Sequence, residues 1–504
     1  MSTLLDIFKN PGNKLAVIDP DLKQEVTYSQ LSQQIKQLNQ QLFKLANVKS
    51  GDCISLVAPN GLEFTVAFLA TTFLGCVSAP LNSNYTASEF DFYLQDSKPS
   101  VVLVHHTLLS KPNPPVLEVA KKLGLTLLSI SWDQSGIVLK PIINQKSSQP
   151  ITAPPTPDHV ALLLHTSGTT GRPKAVPLTH LNLSTSMKNI VNHYKLSPAD
   201  TSLIVMPLFH VHGLIGALLS TLLSGGTTII PTKFSASVFW KLYTTFKATW
   251  YTAVPTIHQI LLNHPAPPAD TKIRFIRSCS SALAEPTFHA LEKKFNAPVV
   301  EAYAMTENAH MMLGNPLPPL KRKPGSVGIP AGVEVKILDQ DGNEVVEGEV
   351  CLRGPSVTKG YLENPKANAE SFTKNGFFRT GDQGKFDNEG YLYLTGRIKE
   401  LINRGGEKIS PLEIDSVLLS HAAVAEAVSF GAPDEKYGQE VAAVVRFREG
   451  KSATEDEIKQ HCGKSLASFK VPKYVFITDK LPKTATGKIQ RRKMVEVFMP
   501  KSKL

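Results

Sequence analysis

His165-Thr-Ser-Gly-Thr-Thr-Gly-Arg-Pro-Lys174 follows directly on the apolar run Val160-Ala-Leu-Leu-Leu164. A run of buried-strand character that breaks into closely spaced glycines and hydroxyls predicts a strand feeding a loop. The backbone N–H groups of such a loop can wrap phosphate oxygens, its Thr and Ser side chains add donors, and Lys174 adds charge. The GxxxxGK[ST] pattern of a Walker A loop is absent. Taken alone, the stretch also fits an ordinary surface loop, so the rest of the chain has to decide.

Working outward, the runs Ile54 to Ala58, Val101 to Val104, Thr126 to Ile130, Thr227 to Pro231 and Arg274 to Ile276 alternate with amphipathic segments of helix length. Continuous apolar strands separated by helices predict parallel sheets covered on both faces, hence an α/β class. The Pro-rich stretch Ser148 to Pro157 reads as a connector, and a second one, Leu317 to Gly325, precedes short Gly-punctuated strands that run to about Gly396. This second region is expected to form a small β-subdomain. From Arg397 onward the texture becomes shorter and more basic, which places a small α+β C-terminal domain at 397–504 after a large N-terminal domain at 1–396.

At 504 residues the chain is too long for one core, and 42% apolar with 19% charged residues is a soluble, globular composition. The five cysteines show neither CxxC pairing nor a His partner at metal spacing, which argues against a disulfide framework or structural zinc. The N-terminus lacks the pattern of a secretory signal. Leu214 to Leu223, the longest apolar segment, is about half of the ~20 residues that a bilayer needs, so no membrane span is expected. The terminal Ser502-Lys503-Leu504 is the tripeptide read by the peroxisomal import receptor, which leads to an expected location in the peroxisome matrix. A formal charge of +11, much of it between Lys470 and Lys503, invites a nucleic-acid reading, but no recognition module accompanies it. A positive field equally suits an enzyme that handles polyanions.

Further motifs follow in order: Tyr303-Ala-Met-Thr-Glu307, Thr380-Gly-Asp382, Gly396-Arg-Ile-Lys-Glu400 and Pro482-Lys-Thr-Ala-Thr-Gly-Lys488. Together with the Gly/Thr loop they resemble the adenylate-forming superfamily of acyl-CoA synthetases, luciferases and peptide-synthetase adenylation domains. The resemblance implies ATP, Mg²⁺ and coenzyme A. It also implies a nucleotide site formed by Thr166, Ser167, Gly168, Thr169, Thr170, Gly171, Lys174, Ser280, Ser281, Glu301, Ala302, Tyr303, Thr306, Asp382, Arg397 and Lys488. Glu307 would hold Mg²⁺, with Thr166 as a weaker second ligand, and Asp382 would bind the ribose hydroxyls. Attack of a carboxylate on the α-phosphate brings two anions together, so the reaction needs cations rather than a base. The resemblance makes Lys488, Thr306, Glu307 and His210 the candidate catalytic residues, with Lys488 and a cation on Glu307 supplying the charge. The resemblance makes Lys399 the hinge of a mobile C-terminal domain. Lys488 would serve the first half-reaction, and the loop Arg404-Gly-Gly-Glu407 would approach the site in the second.

Positions that line the acyl pocket in relatives match Arg277, His310 and the pair His210 and His212 in Phe209-His-Val-His-Gly213. A fatty or aromatic acid would demand an apolar pocket instead. A buried cationic cluster is costly unless paired, and a second carboxylate on the acid supplies the pairing through a bidentate fork. The alternative is that Arg277 pairs with an internal acid and that backbone groups satisfy the histidines. Met206 to Leu214, Arg274 to Ser281 and Glu400 to Ser410 further resemble the oxalate–CoA ligases, which implies ligation of oxalate to CoA through oxalyl-AMP. The same chemistry on another small, fatty or aromatic acid is the alternative, and RNA binding by the basic surface is the reading from outside the enzyme class. At the head of the loop, His165 stands where many relatives carry a Tyr or another residue, and is expected to be a structural variant, with contact to the phosphates as the alternative.

Overall fold

The computed structural model describes residues 2–9, 12–143, 154–166, 173–484 and 488–499. Among these, the strands assemble into four sheets. In the first, Cys53–Val57, Val77–Leu81, Val101–His105, Thr126–Asp133 and Val160–Thr166 run parallel, flanked by the antiparallel edges Gly136–Ile143 and Lys174–Thr179. In the second, Leu15–Asp19, Thr201–Ile204, Thr227–Ile229, Trp250–Ala253, Phe275–Cys279 and Val299–Met305 form the parallel centre. Helices cover these sheets, which is why Val101–His105 is buried along its whole length and why the strands read as unbroken apolar runs. The α/β class follows.

The helices start where the sequence supplies caps. Thr86 accepts from the Glu89 backbone N–H while the Glu89 side chain returns to Thr86, and Thr179 and Asn182 make the same reciprocal pair. Leu62–Phe73 has almost no exposed face and lies within the core between layers. No described helix is long and apolar enough to cross a membrane.

Two strands differ from their sequence-based bounds. The run expected at Arg274 to Ile276 is the strand Phe275–Cys279, so the sheet carries Arg277 and Ser278 inside it. These polar residues hide the strand's second half from an apolar pattern. Thr227–Ile229 stops short of Pro231, which has no N–H to offer a ladder.

Strands Glu334–Leu338, Glu347–Arg353, Phe378–Phe386 and Leu392–Arg397 make an antiparallel third sheet. A single 3₁₀ turn, Ile398–Glu400, separates it from the fourth sheet, which begins at Ile402–Arg404 and has its own core around Ile414, Val424, Ala443, Val445 and Ile458. Helix Pro411–Ser420 of this C-terminal unit rests against strand Leu392–Arg397 and helix Glu285–Phe295. Much of the unit's basic excess is locally neutralised, with Lys470 on Glu413, Lys473 on Asp434, Lys483 on Glu426 and Arg491 on Asp415.

Candidate active site

The strands Trp250–Ala253, Phe275–Cys279 and Val299–Met305 lie side by side, with Thr252 beside Arg277 and Arg277 beside Val300. Arg277 lies within the middle strand, and the carboxyl ends and following turns carry Ser280, Ser281, Tyr303, Thr306 and Glu307, as expected of a parallel sheet.

On the nucleotide side, the Tyr303 hydroxyl donates to Asp382, and Arg397 Nε stands 3.2 Å from the same carboxylate. Thr306 and Glu307 form a tight turn after Val299–Met305, both buried. The Tyr361 hydroxyl donates to Glu307 Oε1 at 2.8 Å, and the Lys174 ammonium lies 4.5 Å above the Tyr361 ring. Burial pushes the Glu307 carboxyl up, against the pull of Tyr361, Arg397 and Lys174. Tyr361 belongs to none of the motifs; it lies 54 residues beyond Glu307, and no local pattern links the two.

Thr166 and Lys174 face each other as the last rung of an antiparallel pair. Ser167, Gly168, Thr169, Thr170 and Gly171 lie outside the described residues, as do Ser502, Lys503 and Leu504. His165 Nε2 lies 2.8 Å from Asp96, and the ring packs edge-on to Tyr93, the kind of setting expected of a structural residue.

Lys488 keeps solvent access, and desolvation in the cleft followed by the Arg397 charge holds its ammonium below the usual lysine range. It stands within electrostatic reach of His210, Arg397 and Asp382. Lys399 sits in the turn between the third and fourth sheets, and Glu400 beside it meets Arg491 at 3.4 Å. In the hairpin Arg404-Gly-Gly-Glu407, Arg404 is committed to a two-point ion pair with Glu440.

Two of the expected contacts have side chains engaged within the protein. The Glu301 carboxylate accepts from the backbone N–H groups of Gly325 (3.0 Å) and Leu283 (3.4 Å), which ties two loops together, and burial pushes its pKa up to about 8. Thr252 and Ser280 hydroxyls lie 2.7 and 3.0 Å from the two ring nitrogens of His212. Ala302 is buried in the strand, and the Ser281 hydroxyl turns back to the Ser280 carbonyl.

The cluster matched to the acid site centres on Arg277, which is 0% exposed. Its Nη1 donates to the Gly216 carbonyl at 3.1 Å and its Nη2 to His310 Nε2 at 2.7 Å. A guanidinium has only donors, so His310 must be the acceptor, neutral and protonated on Nδ1. Arg277 Nε has no partner among the described residues, and no described carboxylate makes an ion pair with the side chain. The expected alternative of an internal acid is therefore not what the described residues provide. Burial, then the Arg277 charge, holds His212 and His310 well below the ordinary histidine range, and burial with Lys488 pushes His210 down to about 4. His210 Nδ1 accepts from the His212 backbone N–H at 3.2 Å, which leaves Nε2 to carry the proton. Behind Arg277 stands an aromatic stack: Tyr194 on Phe275 at 5.4 Å and Phe275 on Trp250 at 5.0 Å. Ser280 and His310 both have positive φ, 74° and 111°, a region that side chains rarely occupy.

The family model described as AMP-binding enzyme matches residues 6–362, and that of the AMP-binding enzyme C-terminal domain matches 413–488. The chain is 48% identical to the oxalate–CoA ligase of Saccharomyces cerevisiae, over 98% of this chain and 96% of that protein. It is 50% identical to the oxalate–CoA ligase of Arabidopsis thaliana, over 95% of each. Among solved structures, ATP-bound MatB from Rhodopseudomonas palustris superposes with a TM-score of 0.89 at 29% identity, covering 99% of both chains.

Proposed function

The chain belongs to the AMP-binding enzyme family, and on that premise we propose that it joins oxalate to coenzyme A, with ATP converted to AMP and pyrophosphate. The observation that carries the choice of acid is the buried Arg277 guanidinium with no carboxylate partner among the described residues and an unpaired Nε. A dicarboxylate completes it: one carboxylate reacts while the other takes the remaining donors of the fork.

In the first half-reaction, a carboxylate oxygen of the acid bonds to the α-phosphorus of ATP, and the bond from that phosphorus to the pyrophosphate oxygen breaks. The carboxylate is already an anion, so no base is needed. Lys488 and Lys174 offset the charge that two anions bring together, and Asp382 holds the ribose hydroxyls. His210, neutral with its proton on Nε2, donates to the acid rather than accepting from it. In the second half-reaction, the CoA sulfur bonds to the acyl carbon, the carbon–oxygen bond to AMP breaks, and the thiol proton leaves to solvent. The buried Glu307 carboxylate, with Tyr361 on one oxygen, and the Thr166 hydroxyl suit a hard cation such as Mg²⁺ bound jointly with phosphates. Such an ion supplies charge neutralisation on the phosphates.

The products of this reaction fit a role in oxalate breakdown, and Ser502-Lys503-Leu504 fits an address to the peroxisome through the import receptor. A fluorescent fusion with and without the tripeptide tests the address. For the activity, the purified protein is given ATP, Mg²⁺ and CoA with oxalate, malonate, hexanoate or 4-coumarate in parallel, and AMP and acyl-CoA are measured. Oxalate is expected to lead, and preference for hexanoate or 4-coumarate overturns the assignment of the acid.

A further inference from the structure

The helical segment that faces Arg277 is not a regular α-helix. Leu214–Leu219 winds as a π turn, with Val211–Gly213 before it and Ser220–Leu223 after it. The wider register takes carbonyls out of the usual ladder. The Ile215 carbonyl accepts from the Ser220 hydroxyl at 2.6 Å, and the Gly216 carbonyl accepts from Arg277 Nη1.

Gly216 also has to lack a side chain. A Cβ there would stand 2.3 Å from His310 Nε2 and 3.1 Å from Arg277 Nη1. The first distance is well inside contact, and His310 cannot retreat freely because its ring stacks on His212 at 5.4 Å. His212 in turn is held by Thr252 and Ser280.

We propose that Gly216 is a specificity-determining, positioning residue for the acid: its carbonyl and its missing side chain keep Arg277 and His310 joined as one unit that selects acids with a second carboxylate. This rests on the proposed function. Gly216 touches no reacting atom. It fixes where the guanidinium fork points, and the unpaired donors of that fork are what a second carboxylate finds.

The test compares wild type, Gly216→Ala, His310→Gly and the double variant with two acids of equal length: oxalate, and glyoxylate, which carries an aldehyde in place of the second carboxylate. Acid-dependent pyrophosphate release gives kcat and KM for each acid and KM for ATP. Gly216→Ala is expected to raise KM for oxalate about tenfold or more, to leave KM for ATP unchanged, and to lower the oxalate-to-glyoxylate ratio of kcat/KM. In the His310→Gly background the added methyl has room, so the same substitution is expected to do much less, a non-additivity that marks direct coupling. Should Gly216→Ala fail to fold, recovery of a folded protein in the double variant reports the same coupling, and no recovery overturns it. An unchanged acid ratio, or an equal loss with and without His310, overturns the proposal while leaving the assigned acid intact. If the wild type uses no dicarboxylate, both readings fall together.

Discussion

Replacing Arg277 by Met separates what the guanidinium does for the acid from what it does for the fold. The side chain is fully buried, two of its N–H groups are used by Gly216 and His310, and no described carboxylate balances its charge. Two charge-assisted bonds to a second carboxylate are worth roughly 1.5–3 kcal/mol each. These are net of the water each group gives up, so together they are worth about 3–6 kcal/mol, roughly 10²–10⁴-fold in kcat/KM. Stability changes much less. Leaving the Gly216 carbonyl and His310 Nε2 without a donor costs about 1–3 kcal/mol each, while removing a buried, uncompensated cation and filling its volume with an apolar chain returns on the order of 1–4 kcal/mol, so the two largely offset. Arg277→Met is therefore expected to lose oxalate-dependent pyrophosphate release while its Tm shifts only modestly, with ATP affinity unchanged. A loss in kcat/KM of less than tenfold, or a collapse of Tm alongside activity on every acid, refutes the reasoning.

His310 at φ 111° carries a side chain where glycine is at ease. His310→Gly should thus be more stable than His310→Ala by about 1 kcal/mol, read from denaturant midpoints, the reverse of the usual order. Lys488→Ala should lower adenylate formation by about 10²–10³-fold yet spare thioester formation from supplied acyl-adenylate, which single-turnover assays resolve. His180 and His258 are buried with pKa values pushed down to about 4, from an unfolded value of 6.5. The unfolded chain therefore binds more protons between pH 6.5 and 4, so stability is fully present above 6.5 and falls by on the order of 3 kcal/mol per histidine as pH drops through that window. A thermal midpoint that stays flat from pH 7 to pH 4 contradicts this.

The parallel sheets are legible in the sequence because strands covered on both faces announce themselves as unbroken apolar runs, and Val101–His105 is the plainest case. The pattern fails where function intrudes, since Arg277 and Ser278 make the rest of their own strand look polar. Motif residues such as Asp382, Glu307 and Arg397 can be named from their order along the chain, and the structure brings them to one cleft. Their partners cannot be named that way. Tyr361 meets Glu307, and Thr252 meets His212, only through the fold. Leu214 to Leu223 reads as an apolar segment broken only by Ser220 and Thr221, so nothing in it discloses a π turn or a glycine kept bare for a neighbour's imidazole.

The stack of Trp250, Phe275 and Tyr194 leads from an indole to the ring that lies 5.5 Å from the Arg277 guanidinium. Indole emission responds to nearby charge, and the chain has only three tryptophans. The protein thus carries an intrinsic optical reporter beside its own clamp. Filling that clamp with an anion changes the local field, so occupancy can be followed as a change in light, without label, turnover or coupling enzyme.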